Sequence, residues 1–195
     1  MNYDPSTLEI LISLSLGLGL AAACGFRIFV PLLFLSASSL GGLLQLGGAF
    51  EWIGTWPALT VFGIATLLEI GAYFIPWLDN ALDTVGAPAA VVAGTVVTAS
   101  AVVGMDPMLQ WSLAAIAGGG AAGIVHGSLA LVRGGSSATT GGLANPVVSA
   151  AEAGGSVLIS ALAILVPFAG VVLAVLLLMI GARFFARLRR RRATA

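Results

Sequence analysis

Two carboxylates, Glu69 and Glu152, stand inside long apolar runs, each followed two positions later by a glycine (Glu69-Ile70-Gly71 and Glu152-Ala153-Gly154). A carboxylate in the hydrocarbon of a bilayer costs roughly 2.5 kcal/mol or more, so it must be protonated, paired or turned to water. With a helical rise of 1.5 Å per residue, Glu69 lies about 10 Å from a helix end at Pro76, and Glu152 about 9 Å from one at Pro146. If those ends share a side, the two carboxylates share one polar cavity. Chemically that is a proton- or cation-binding site; the structural alternative is a polar contact between helices.

Other residues could join them. Arg27 follows Gly25 and Phe26 in the first apolar run. It would bind an anion or pair with a buried carboxylate, or else snorkel to an interface. Pairing with the glutamates would need a re-entrant first segment. Asp79 and Asp83 are four residues apart, on one face of a helical turn, and two oxygen donors there could help hold a hard cation. A solvated loop is the plainer alternative. His126, the single histidine, could relay protons or simply pack. The Gly/Ser/Thr-rich stretch 136–145 carries Thr139, Thr140 and Asn145, with Ser149 one turn into the next helix. Its amides could bind an anion, or the stretch could be a plain connector. No Walker-type phosphate loop, cysteine cluster, HExxH or GxSxG is present, so neither an enzyme nor a cofactor is expected.

The elements that must position these groups are dictated by composition. Charged residues make up 8% of the 195-residue chain and hydrophobic ones 59%, with a mean hydropathy of +1.09. A soluble domain of this size carries roughly 25% charge. Lipid is therefore the expected medium and the bilayer the first partner. Lysine is absent, and five of the eight arginines fall in the last nine residues, an anchor on the cytoplasmic side rather than a nucleic-acid contact. The lone Cys24 excludes an internal disulfide. The acidic N-terminus lacks the basic region of a signal peptide, so the first helix is expected to remain.

Ser6-Thr7-Leu8-Glu9 has capping-box spacing and predicts a helix start near Thr7. The apolar run to Leu40 would be roughly 50 Å long as one helix, so a break is expected at Gly25 or Pro31. Further helices are read at Pro57–Pro76, Pro88–Val103, Met108–Val132 and from Pro146 to Leu188, the last divided near Pro167. Trp77–Gly86 and Arg133–Gly142 read as loops. The expectation is an all-α integral membrane fold of about six transmembrane helices, a single domain over 1–188 with a basic cytoplasmic tail at 189–195. An even count puts both termini in the cytoplasm with Arg133, and Glu51 and Asp106 outside.

Small residues recur every fourth position in the first helix (Ser13, Gly17, Ala21, Gly25) and the fourth (Ala115, Gly119, Gly123, Gly127). Such stripes let backbones approach closely, within the chain or in a homo-oligomer. With the paired Glu-x-Gly segments they suggest two inverted three-helix repeats, 8–104 and 108–188, a pattern common in secondary transporters.

Two stretches carry a resemblance: Gly19-Leu20-Ala21-Ala22-Ala23-Cys24-Gly25-Phe26-Arg27-Ile28-Phe29-Val30-Pro31 and Thr139-Thr140-Gly141-Gly142-Leu143-Ala144-Asn145-Pro146-Val147-Val148-Ser149, followed by Glu152. Asp79-Asn80-Ala81-Leu82-Asp83 fits the same pattern. The chain resembles an uncharacterised bacterial integral membrane family catalogued as domain of unknown function 4126. The resemblance implies the bacterial inner membrane and marks Arg27, Asp79, Asp83, Asn145, Ser149 and Glu152 as candidates, without naming a substrate. The family often has Glu-Asp where this chain has Glu152-Ala153, so a second acid is missing. The expected function is a small transporter or channel for an ion or solute, its pathway lined by Glu69, Glu152 and the 133–149 segment. A lipid-binding or scaffold protein is the second expectation, and a membrane enzyme on a lipid-linked substrate the third.

Overall fold

The computed structural model describes residues 6–72 and 76–169, with 172, 176 and 179 beyond them; for 76–84 it describes the backbone alone. Among the described residues every element is helical. The capping box is formed: Glu9 N donates to Ser6 Oγ at 3.3 Å, and Ser6 N to the Glu9 carboxylate at 2.7 Å. It opens α1 (Thr7–Phe26). The first apolar run breaks between the two expected positions. After Arg27 and Ile28 the chain starts α2 (Phe29–Leu40), with Pro31 in its first turn, where the missing N–H costs no helix bond.

A 3-10 helix (Gly48–Gly54) leads into α3 (Trp56–Ala72) and then α4 (Pro76–Ala101). The stretch Trp77–Gly86, expected as a loop, is therefore helix. Pro88 lies inside α4 instead of starting it. One lost helix bond is tolerated where α4 packs closely on its neighbours, and Gly86 sits so near the His126 ring that a Cβ there would come within 2.7 Å of it.

Asp106 caps α5 (Pro107–Leu113), accepting from Met108 N at 3.0 Å. A π turn (Ala114–Gly119) joins it to α6 (Gly120–Thr140), and α7 (Asn145–Leu165) follows. The expected 133–142 loop is also helix, ending only at the left-handed Gly141 and Gly142 (φ 63° and 88°). The Thr139 and Thr140 hydroxyls, expected in a loop, lie on the helix and donate back to the Gly135 and Ser136 carbonyls, each at 2.8 Å. Helix α7 stops at Val166, where the hairpin was expected. The rest of the expected sixth helix and the arginine tail lie outside the described residues.

Helix directions follow from close contacts. Thr98 of α4 touches both Gly17 of α1 and Gly118 of the π turn, while Gly25 lies against Ala122 and Val125 of α6. Helices α1 and α5–α6 therefore run parallel, and α4 runs against both. An inverted repeat would set the first and fourth helices antiparallel, so their shared stripe reflects a common packing need instead. Gly94 and Gly118 meet backbone to backbone; a Cβ on either would come within 2.8 Å of the other's carbonyl oxygen.

Gly47 N donates to Ser100 O at 3.3 Å, only two residues from the Thr98 that bonds Gly17 O at 3.1 Å. After descending α1 to Arg27, the chain thus climbs back through α2 to near the level of Gly17, in the middle of α1. It is re-entrant. The end it returns to carries Trp52, Trp56 and Trp111, with Phe50 and Trp111 rings 5.6 Å apart. Thr7, Glu51 and Asp106 share this end, and Arg133 lies at the opposite one. The expectation that the first helix starts beside Arg133 fails because it counted the run to Leu40 as one crossing.

Three described helices are long and apolar enough to cross a bilayer: Thr7–Phe26, Pro107–Thr140 and Asn145–Leu165. The 3-10 helix and α3, bent by 64°, make a fourth span if taken together. Leu67, Leu68, Ile116, Ile124 and Leu131 are exposed along them, the surface that lipid covers in a membrane protein.

Candidate functional site

The break between α1 and α2 frees the backbone N–H groups that begin α2. In an apolar interior they need acceptors. Glu69, reaching from α3, supplies both: Oε1 accepts from Ile28 N at 2.7 Å and Oε2 from Phe29 N at 3.0 Å. The side chain of another helix is thus the N-terminal cap of α2. This accounts for a carboxylate on an apolar helix face. Glu69→Ala would leave two buried donors without acceptors and should cost about 2 kcal/mol or more, whereas Glu69→Gln keeps one acceptor and should cost less than half as much. Unfolding in detergent micelles measures both. An alanine variant as stable as the wild type would remove the capping role.

Arg27 occupies the break itself and is fully buried. Its Nη2 donates to Ser149 O at 2.9 Å and to Ser149 Oγ at 2.5 Å, and lies 3.5 Å from Glu152 Oε2. From α6, Arg133 takes the same carboxylate at two points: Nε donates to Oε1 at 3.0 Å, and Nη2 pairs closely with Oε2. Arg133 and Glu152 are also buried. Two guanidiniums from different helices therefore meet on one carboxylate oxygen, and the planar two-point contact from Arg133 fixes its orientation. Helix α7 is held in place by Ser156 Oγ, which donates to Ala23 O at 3.0 Å, and by Gly155 against the Phe26 ring.

The cluster gathers three of the expected residues, Arg27, Ser149 and Glu152, and Glu69 joins it through the backbone next to Arg27. It leaves others out. His126 is buried against Gly86, seven residues before Arg133, about 10 Å along the helix. Asn145 donates Nδ2 to Ser137 Oγ at 3.0 Å, tying the start of α7 to the end of α6. Thr139 and Thr140 are exposed on α6. Asp79 and Asp83 lie on the α4 backbone, and their side chains are outside the described residues. Among the described residues no group of three His, Cys, Asp or Glu could hold a metal. An open apolar groove of about 330 Å³, lined by Leu33, Phe34, Ala37, Ser38 and Leu43, touches none of the candidates.

Arg133 was expected only as the first residue of the lining segment 133–149, read as a loop, and not as a site residue of its own. A charge inventory would have signalled it. Outside the terminal tail, Arg27 and Arg133 are the arginines of the chain up to residue 182, and Glu69 and Glu152 are the acids set in apolar runs. In lipid such charges have to find one another.

No curated protein and no solved structure matches the chain. The family described as Domain of unknown function (DUF4126) matches residues 14–187, which include α1 from its second turn through α7 and every member of the cluster. The chain belongs to the DUF4126 family.

Proposed function

We propose that this protein is a small transporter of the bacterial inner membrane, with the Arg27–Glu152–Arg133 cluster as its central polar site. One observation carries the reading: a buried cluster of two arginines and a glutamate at the break of a re-entrant helix pair. Such ion pairs add little net stability over well-packed apolar residues, and in hydrocarbon they are costlier still. Irregular backbone at membrane depth is tolerated where protein buries it or where it lines a pathway. Broken helices beside buried charges are the usual construction of transport sites. By the positive-inside tendency the Arg133 end faces the cytoplasm and the tryptophan end faces out.

In proteoliposomes the wild type should move protons or small ions down an imposed gradient, and Glu152→Gln should reduce that flux by about tenfold or more, the scale of losing an interaction worth 1.4 kcal/mol. Flux unchanged in this variant removes the mechanism. A second reading, a non-transporting scaffold, is favoured by the internal satisfaction of both glutamates: Glu69 by backbone N–H groups and Glu152 by arginines. It predicts no wild-type flux above that of protein-free vesicles.

A further inference from the structure

We propose that the protein contacts lipid headgroups at two levels: around Trp56 and Trp111 at one end of the bundle, and at the elbow joining α6 to α7, residues 137–147, at the other. The inference goes beyond the transport reading and does not rest on it. Length sets the frame. The continuous helix Pro107–Thr140 has 34 residues, about 51 Å at 1.5 Å per residue. A hydrocarbon core is about 30 Å thick, and the bilayer with its headgroups about 40–45 Å. A tilt of about 20° leaves the helix longer than either. Both its ends therefore pass through headgroup layers. Along it, Trp111 and Arg133 are about 33 Å apart, which matches the distance between the two hydrocarbon boundaries. Tryptophan rings suit such a boundary, and both Trp56 and Trp111 are exposed.

The elbow is bracketed from both sides. Its backbone is irregular at the left-handed Gly141 and Gly142, and residues 137–141 are exposed. Lipid-exposed irregular backbone does not stand in hydrocarbon. Bulk water suits it no better, because Leu143 and Val147 are 87% and 72% exposed and continue the apolar surface of Ile116, Ile124 and Leu131. The headgroup layer accepts both these side chains and the hydroxyls of Ser137, Thr139 and Thr140. The opposite end has the same mixture, with exposed Met108 and Leu109 beside Asp106. Arg133 itself is not the headgroup contact. Gly25 and Val125 touch, so the backbone of Arg27, two residues on, lies about 3 Å below that level and the backbone of Arg133, eight residues on, about 12 Å below it. Ser156 bonds Ala23 O, which puts Glu152 near the level of Arg27. Arg133 thus reaches back into the bundle to Glu152, opposite to the usual outward turn of a boundary arginine, and leaves the headgroups to the elbow.

The test is spin labelling of the full chain in phosphatidylcholine vesicles that contain a lipid with a nickel-chelating headgroup. Met108→Cys, Ile124→Cys and Leu143→Cys are labelled one at a time, all at exposed positions; the wild type, whose Cys24 is buried, should take no label. Ile124 lies about 20 Å from Trp111 and about 14 Å from Arg133 along the helix, near the middle of the hydrocarbon. Headgroup nickel should relax the labels at 108 and 143 several-fold more than the label at 124, and dissolved oxygen, which concentrates in hydrocarbon, should reverse that order. Equal nickel relaxation at 124 and 143 overturns the proposal. So does a label at 143 that answers to a soluble nickel chelate and not to the headgroup nickel, since the elbow then stands in bulk water. Spin–spin broadening at 124 puts a second copy of the chain over this surface and overturns the lipid contact. Independently, a protein keeping only Trp111 (Trp52→Phe, Trp56→Phe, Trp77→Phe) should be quenched most by lipids brominated near the glycerol; strongest quenching by bromines at the chain ends overturns the level assigned to it. Absence of proteoliposome flux would remove the transport reading and leave these depths unchanged.

Discussion

Glu152→Ala should lower the stability of the bundle by about 3–5 kcal/mol, the scale of breaking a buried ion pair by removing one partner. The loss is large because it is not the pair's own attraction that disappears. Arg133, buried on α6, loses the acceptor for both its Nε and its Nη2, and Arg27 loses the nearest carboxylate. Denaturant or thermal unfolding in mixed micelles reads the change. Replacing all three charges together, Arg27→Met, Arg133→Met and Glu152→Met, removes the uncompensated charge and should restore most of that loss, since apolar replacements of whole buried triads are often neutral or stabilising. On the transport reading, the triple variant should still show no proteoliposome flux. Such a separation of stability from flux would mark the cluster as a working part of the molecule. A Glu152→Ala protein as stable as the wild type would mean that these charges are not coupled in the folded state.

Gly25→Ala is the second substitution with a large expected effect. A Cβ at Gly25 would fall 2.7 Å from the Ala122 carbonyl oxygen and 2.5 Å from Val125 Cβ, and a backbone oxygen cannot step aside as a flexible side chain can. Helices α1 and α6 would have to separate, at about 1–3 kcal/mol for an overpacked contact. The consequence reaches further than packing. Arg27 lies two residues beyond Gly25 and Arg133 eight beyond Val125, so widening the contact draws the two guanidiniums apart over Glu152. On the transport reading, proteoliposome flux should therefore fall along with the unfolding midpoint. Trimming the neighbour, Val125→Ala in the Gly25→Ala background, should recover part of the stability and not all, because the Ala122 oxygen stays where it is. Full wild-type stability in Gly25→Ala alone would contradict the close approach.

Both expectations depend on features of very different legibility. The apolar medium, the capping box at Ser6 and Glu9, the break between Gly25 and Pro31, the stop at Val166 and the need of Glu69 and Glu152 for partners were all readable from residue types and spacing. These are local matters. Hydropathy counts side chains, helix caps span a few residues, and an ionised group in hydrocarbon demands a partner whatever the fold. The same local reading misplaced two loops, because Pro88 and the Gly/Ser/Thr stretch after Arg133 look like helix breakers when taken alone. In the structure Pro88 lies inside α4, and α6 runs on through Thr140 to the left-handed Gly141. Only the tertiary structure decided which partner each charge received. For the glutamates a shared cavity and a polar contact between helices were both open; Glu69 caps a backbone break and Glu152 gathers two arginines. That outcome turns on α2 climbing back beside α3 and on α1 and α6 running parallel, which lets the side chains of Arg27 and Arg133 converge on Glu152. Chain direction and helix neighbours are long-range properties, and no window of sequence contains them.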